Sequence, residues 1–320
     1  MIDIEPFSRI IQLLLDETKP FPSHHLHRFS DISPTDLKSV LEVWPELSTK
    51  RKLSLLEDFE LLVDSDTLVS FDDLARSLLK DDDPHVRVRA INLLWECSDP
   101  KLVPLYLSIL DNDPDLDSRA AAASILGQYI YLGELDKISS KLLHAIEEYL
   151  LSIMKDDTPD LIKRRALEAL GASSRREVHS LIEIAYHQKN SDWKVSAIHA
   201  MGRSSDELWE KFVLAHLFDQ EQEIKSEAIN AAGKLELESA RTPLLDLLED
   251  EEEEEIRQEI IWSLSCIGGE GVRSRLEELL ELADEDEAEF LEEAVENLLF
   301  TEELDNFSLF DLEADTQEDE

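Results

Sequence analysis

The chain has 320 residues, of which 42% are hydrophobic, so it can bury a substantial core despite its high charge. Its 74 acidic residues outnumber 31 basic residues and leave a formal net charge of -43. Such a charge repels nucleic-acid phosphates and anionic lipid, and it favours cationic partners. The composition therefore disfavours nucleic acid and membranes as ligands and is compatible with a protein partner that has a basic surface.

The first 80 residues predict a helical cap followed by degenerate repeats. Four helices are expected here from the apolar spacing, at about residues 4–15, 33–44, 48–63 and 71–80. A connection rich in proline and histidine separates the first two. Ser33 followed by Pro34 is typical of an N-cap and the first helical position, and Pro45 is expected to end that helix.

A short phrase with a basic residue near its start recurs six times in the rest of the chain. The basic position is occupied in order by Arg87, Arg119, Lys163, Lys194, Lys225 and Arg257. These residues are separated by 32, 44, 31, 31 and 32 positions, which are spacings typical of two-helix units in solenoids. The sequence therefore predicts a repeat array over residues 81–300, with a longer unit around 128–156.

Each unit is expected to contain two helices. In one unit, Ala228 lies on a face of small and apolar residues, Gly233 follows in the next turn, and Pro243 opens a second helix. Such a pair leaves apolar surface uncovered until a neighbour stacks on it, so the units are expected to fold only as an array. Cys97 and Cys266 lie in distant units, and both are expected to be reduced core thiols.

The acidic residues are concentrated toward the end of the chain. Residues 301–320 are acidic and poor in apolar residues, which predicts a flexible tail. The runs at 249–255 and 284–287 precede predicted helices, where carboxylates favour the helix N-terminus. These runs are either helix-start chemistry on a solvated surface or an acidic patch for a basic partner.

The sequence also predicts where the protein resides. No apolar run approaches the roughly 20 residues needed to span a bilayer. The acidic start, Met1-Ile2-Asp3-Ile4-Glu5, lacks the basic segment of a secretion signal. We therefore expect a cytoplasmic protein.

Three phrases resemble HEAT repeats, in the short form first named for phycobilisome lyases: Asp83-Pro84-His85-Val86-Arg87, Ala166-Leu167-Glu168-Ala169-Leu170-Gly171 and Ala197-Ile198-His199-Ala200-Met201-Gly202. The resemblance covers about residues 71–300. It implies an all-α fold, a right-handed α-solenoid (superhelix) of antiparallel helix pairs. It also implies a structural ladder, in which the recurring basic residues contact acidic turn residues of successive units. Asp83, Asp192 and Asp219 are the candidate acids.

Patterns that would indicate catalysis or metal binding are weak. Some HEAT-like proteins are iron-dependent hydroxylases that use His-Glu pairs as ligands, but none of the nine histidines here precedes a Glu. Residues 111–117 imitate the start of an EF-hand loop, yet Leu116 stands where Gly is required and Ala122 where a bidentate Glu is required. Gly-rich phosphate loops, nucleophile elbows and Cys-x-x-Cys motifs do not occur. We therefore predict a non-enzymatic protein without catalytic residues, metal or cofactor.

The resemblance places the repeated helix of each unit on the concave side of the array, and helical counting then indicates which residues point outward. Ser196 is one of them. The partner site is expected in this row, at Arg165, Glu168, His199, Glu227, Asn230, Glu259 and Trp262. Trp262 is either tucked between units or an exposed anchor of the kind enriched in binding hot spots. In the second case Glu227 and Glu259 would select a cationic group on the partner.

These observations predict a non-catalytic scaffold or adaptor for protein–protein interaction with an acidic surface. The alternative is an accessory factor or lyase-like protein that acts on a chromoprotein or another client protein. A third class, nucleic-acid binding, is disfavoured because a basic groove is missing from the sequence pattern.

Overall fold

A computed structural model describes residues 6–315, except for the side chains of residues 285–286 and 304–315. Within this range the secondary structure consists of α-helices and short 3₁₀-helices, without β-strands, so the predicted all-α class is confirmed. None of the helices in residues 6–315 combines the length and apolarity that a membrane span requires. The chain divides into two compact units, Met1–Ala169 and Leu170–Glu320.

The first unit contains eight complete helices and most of a ninth. They are α1 (Phe7–Leu15), α2 (Pro34–Val43), α3 (Thr49–Ser65), α4 (Asp72–Leu78), α5 (Pro84–Asn92), α6 (Val103–Asn112), α7 (Leu116–Glu134), α8 (Ser140–Ile153) and α9 (Asp160–Leu170). Helix α5 packs against α3, α4 and α7, and α7 also packs against α6 and α8. Helices α7 and α8 occupy the long unit that the 44-residue step predicts.

Polar side chains start these helices where the sequence indicates. The Ser33 hydroxyl accepts a hydrogen bond from the Asp36 amide at 3.2 Å, and Pro34 is the first residue of α2. At α5 the Asp83 carboxylate accepts the His85 amide at 3.0 Å. Each cap satisfies an amide that has no acceptor within the helix, which sets the residue at which the helix begins.

The second unit repeats one arrangement several times. Its helices are α10 (Arg176–Tyr186), α11 (Ser191–Gly202), α12 (Glu210–Leu214), α13 (Gln222–Lys234), α14 (Arg241–Asp250), α15 (Glu254–Ile267), α16 (Val272–Leu282) and α17 (Glu285–Asp315). Helices α11, α13, α15 and α17 pack successively against one another, and each also contacts the helix that precedes it in the chain. The unit is therefore a stack of helix pairs, with the repeated phrases on the successive helices.

Small residues let successive helices approach closely. A Cβ atom added to Gly202 would lie 2.9 Å from the Cα atom of Ala231, and one added to Gly171 would lie 2.7 Å from the carbonyl oxygen of Ala200. Both distances are shorter than real Cβ contacts allow, so these positions require glycine. The recurring glycine at the end of the phrase thus has a packing cause.

The last helix of the array extends past residue 300. Helix α17 runs from Glu285 to Asp315 and does not end at residue 300. Residues 316–320 lie outside the described residues. The flexibility of residues 301–320 and the repeat-based boundaries at 80 and 300 therefore stay predictions.

Candidate functional site

The recurring basic residues of the first unit are anchored by acidic side chains and backbone carbonyls. The Arg87 guanidinium donates to Asp113 through Nε at 2.8 Å and through Nη2 at 2.6 Å, and both side chains are less than a tenth exposed. Its Nη1 also donates to the carbonyls of Asp81 and Asp82. Arg87 therefore joins the turn before its own helix to the turn of the following helix pair.

Arg119 and Lys163 depart from the predicted ladder. The Arg119 Nε atom donates to the Leu110 carbonyl at 2.8 Å, where it satisfies an acceptor in the last turn of α6. Lys163 is half-buried and forms no ion pair with the residues that the structure describes. Backbone carbonyls thus take the place of the expected acid at Arg119.

The second unit shows three variants of the same contact. Lys225 Nζ lies 2.7 Å from Glu251 Oε2, and this hydrogen bond lowers the pKa of the Glu251 carboxyl. Arg257 Nη1 donates to the Leu248 and Glu251 carbonyls at 3.3 Å. Lys194 interacts with Asp219, the acid of its turn, through charge and without a hydrogen bond between them.

Asp219 is the turn acid nearest to Lys194, but histidine takes the hydrogen bond. His216 Nδ1 lies 2.7 Å from Asp219 Oδ2, and His216 Nε2 lies 2.7 Å from the Tyr186 hydroxyl. The Glu221 amide, His216 and the Lys194 charge together lower the pKa of Asp219. An imidazole therefore replaces the usual lysine or arginine donor at this turn.

The structure corrects one acidic assignment and adds a contact that the sequence did not reveal. Asp83 is not the acid that Arg87 contacts, because its carboxylate caps α5 and accepts the Thr49 hydroxyl at 2.8 Å. Asp113 takes that role. An additional ion pair of the same kind, earlier in the chain, joins Lys52 Nζ to Asp81 Oδ2 at 3.1 Å, and both side chains are largely buried. The sequence feature that could have predicted this contact is Lys52, a basic residue in the first turn of the helix that Ser48 caps.

The predicted partner row begins in the first unit with an internal ion pair. Arg165 Nη1 donates to Glu168 Oε2 at 2.6 Å. The Glu168 side chain is buried, so this carboxylate does not face solvent as the predicted outward row requires. The residue that Arg165 neutralises lies within its own helix.

In the second unit three of the row residues form side-chain contacts between successive helices. The His199 ring lies 3.0 Å from Glu227 Oε1, and the Ser226 hydroxyl donates to Glu259 Oε1 at 2.7 Å. Asn230 is half-buried on α13. The outward placement of Ser196 is wrong, because this side chain is completely buried. Serine is small enough to fit between packed helices, and its hydropathy alone does not distinguish such a buried position from an outward one.

Trp262 is the exposed member of this row. Its side chain is 42% exposed, and its ring centroid lies 6.5 Å from that of Phe290 on α17. Glu259 lies one turn earlier on the same face of α15. Its second oxygen, Oε2, is buried without a hydrogen-bond partner in the described residues. We call His199, Glu227, Asn230, Glu259 and Trp262 the Trp262 surface.

The described side chains do not assemble a metal centre. Within the described residues, no group of three or more His, Cys, Asp or Glu side chains is placed to hold a metal ion. Both cysteines are free thiols, and burial raises the pKa of each. The arrangement of the Trp262 surface offers an aromatic face with carboxylates, which is chemistry for recognition.

A family model for HEAT repeats matches residues 72–148 and 210–298, together more than half of the chain. No curated protein shows significant sequence similarity. Among solved structures, the complex of CpcE and CpcF of phycocyanin lyase from Nostoc sp. PCC7120 is 15% identical, with 83% of this chain and 95% of that chain covered and a TM-score of 0.53. This likeness supports the fold.

Two further structures are similar over most of their length but with lower TM-scores. The Escherichia coli protein YibA is 16% identical, with 88% of this chain and 97% of that chain covered and a TM-score of 0.41. Human deoxyhypusine hydroxylase is also 16% identical, with 82% and 95% covered and a TM-score of 0.36. The predicted resemblance to HEAT repeats, including the phycobilisome-lyase type, is confirmed.

Proposed function

This chain belongs to the HEAT-repeat family, and from that premise we propose that it is a non-catalytic scaffold that binds a protein partner through an acidic surface. A stack of helix pairs exposes a long surface without needing a catalytic centre, and such arrays host many unrelated functions. The fold alone therefore does not specify a partner, and a surface of the second unit supplies the specific chemistry.

The observation that carries the proposal is the placement of Glu259 beside Trp262. An exposed tryptophan has a large apolar face and a hydrogen-bond donor, which is why tryptophan is enriched in binding hot spots. The Glu259 carboxylate has no ion-pair partner among the described residues, so its field favours a cation next to the indole. A partner that inserts an apolar group against Trp262 and a lysine or arginine near Glu259 fits both features.

The other members of the surface support the same partner chemistry. Glu227 Oε1 lies 3.0 Å from His199 Nδ1, so a carboxylate and an imidazole lie next to each other on this surface. Arg165 and Glu168 belong to the first unit and pair with each other. We therefore restrict the proposed partner site to the Trp262 surface.

The test is capture of partners from a lysate of the source organism, with the tagged wild-type chain compared with Trp262→Ala and Glu259→Lys. Matched controls are Ile184→Ala and Glu183→Lys, because both residues are exposed on α10 in the same unit. We expect a partner identified with the wild type to be lost by the first pair and retained by the controls. Unchanged capture by both Trp262→Ala and Glu259→Lys would remove this surface from consideration.

A second candidate function is a lyase-like accessory role toward a chromoprotein. It is favoured by the likeness to the CpcE and CpcF complex of phycocyanin lyase. Incubation of this chain with a chromoprotein apoprotein and free chromophore would test it by the appearance of a covalent coloured adduct. No adduct above the uncatalysed level, with partner capture intact, would leave the scaffold role alone.

A further inference from the structure

A groove in the first unit is separate from the Trp262 surface. It lies between the end of α3, the residues that lead into α4, and the end of α5, and it has a volume of about 550 Å³. We call it the Trp95 groove and define it by Glu60, Val63, Asp64, Asp72, Trp95 and Glu96. Trp95 is 43% exposed, so its indole is available from solvent.

A second depression continues from the first. It has a volume of about 320 Å³ and is lined by residues of α5, α7 and α9, including Ala121, Leu161 and two charged residues, Asp117 and Arg165. Trp95 and Asn92 line both depressions. Trp95 therefore separates two adjacent depressions. Successive side chains of an extended peptide segment could occupy one depression each.

The charges of the Trp95 groove are almost all negative. Glu60 forms an ion pair with Arg89, and Asp72 lies 3.8 Å from Arg76. Asp64 and Glu96 are exposed and form no ion pair with the described residues. Two uncompensated carboxylates thus flank an exposed indole.

Apolar side chains also line the groove, together with Thr67, Ser70 and Asn92. Val63 and Val69 are half-buried, and Phe71 and Leu93 are buried, and all four line it. A ligand would remove this apolar surface from water while its positive groups meet the carboxylates. An indole face also attracts ammonium and guanidinium groups directly.

We propose that the Trp95 groove binds an extended basic peptide segment of another protein, with an apolar side chain against Trp95 and lysine or arginine side chains at Asp64 and Glu96. The occupant follows from charge complementarity: the net charge of -43 and the local carboxylates repel nucleic acid and acidic peptides. This site lies beyond the proposed function of the Trp262 surface and does not depend on it.

The experiment uses the full chain and two labelled synthetic peptides of about a dozen residues, a length that spans a pocket of this size when extended. One peptide carries alternating lysine and arginine around a central leucine and phenylalanine. The other has the same apolar residues with glutamate in place of every basic residue. Binding is measured by fluorescence anisotropy at near-physiological ionic strength, so that long-range attraction to the acidic chain is screened.

We expect the basic peptide to bind and the acidic peptide not to bind. Trp95→Ala should weaken binding about tenfold, as for a hot-spot aromatic residue, and Asp64→Lys and Glu96→Lys about fivefold each. The matched controls are Tyr131→Ala, an exposed aromatic residue outside the groove, and Glu46→Lys and Asp157→Lys, exposed carboxylates outside it. Their affinities should stay within about twofold of the wild type.

Three outcomes would overturn the proposal. Equal binding of the acidic peptide would show that charge does not select the ligand. Equal weakening by the control lysine substitutions would assign the binding to the overall charge. Loss with Trp262→Ala but not with Trp95→Ala would move the basic peptide to the Trp262 surface. The charge substitutions lie at exposed positions, so a folding defect of Trp95→Ala, checked by circular dichroism, leaves Asp64→Lys and Glu96→Lys as the deciding variants.

Discussion

Replacing Arg87 with Ala should destabilise the first unit more than the loss of an ordinary surface ion pair. The Arg87 and Asp113 side chains are 9% and 8% exposed, and the guanidinium makes two bonds to the carboxylate and two to backbone carbonyls. Without Arg87, the carboxylate remains in a poorly solvated position, where the Asp115 amide is one remaining donor at 2.9 Å. The carbonyls of Asp81 and Asp82 also lose their donor.

The magnitude follows from this burial. Breaking one side of a buried pair costs about 3 to 5 kcal/mol, whereas an exposed pair contributes about 0 to 1 kcal/mol. Because the pair lies at a turn that water can reach after truncation, we expect the low end, about 3 kcal/mol. The control is Lys38→Ala: Lys38 and Glu42 are 78% and 65% exposed and 3.8 Å apart, so its cost should stay below about 0.5 kcal/mol.

The assay is urea unfolding followed by circular dichroism, together with hydrogen exchange of α5 and α7 amides. A loss of about 3 kcal/mol corresponds to exchange more than about a hundredfold faster wherever exchange requires opening of this region. A double-mutant cycle with Asp113→Asn should give a coupling energy of about 2 kcal/mol. The coupling should change little with added salt, because buried charges are weakly screened.

A loss below about 1 kcal/mol, equal to that of the Lys38 control, would refute the inference that the Arg87 contacts stabilise the unit. A coupling energy near zero would instead assign the loss to the two backbone carbonyls. Either result would remove the acidic ladder from the stabilising interactions of the array.

Three further predictions concern pH, packing and thiol chemistry. Lys225 lowers the folded-state pKa of Glu251, so this pair stabilises the fold above the unfolded pKa and loses that contribution as pH falls through the folded pKa. The difference in unfolding free energy between wild type and Lys225→Met should therefore be largest near neutral pH and decrease below about pH 4.5. A difference that increases on acidification would contradict a stabilising ion pair between Lys225 and Glu251. Gly171→Ala should cost about 1 to 3 kcal/mol in thermal or urea unfolding, because its Cβ atom would meet the backbone of the neighbouring helix, and an unchanged midpoint would show that the helices yield. Cys97 and Cys266 should react slowly with iodoacetamide in the native chain and rapidly in urea, because burial raises the pKa of both thiols, and equal rates would disprove their protection.

Much of the fold could be predicted from the sequence, because every unit must present the same faces to its neighbours. The basic residues from Arg87 to Arg257 recur every 31 or 32 positions, apart from one step of 44, because each lies in the first turns of an equivalent helix. Ser33 with Pro34 marked the start of α2 because the cap is a local interaction. The glycine that ends the phrase, as at Gly202, reflected the close approach of two helices.

Partners across turns and exposed surfaces depended on tertiary packing. Several acids lie within reach of Arg87 along the chain, and only the turn of the next helix pair selects Asp113 over Asp83. Helical counting placed Ser196 outside, but its side chain is completely buried.

The Trp95 groove could not be recognised from the residues because its walls come from the ends of α3 and α5 and from the segment between them that leads into α4. These residues are as much as 37 positions apart, from Glu60 to Cys97, and no local period relates them. Periodicity records which face of a helix is buried. Which side chains then meet across a groove is decided by how the helices pack, and that requires the tertiary structure.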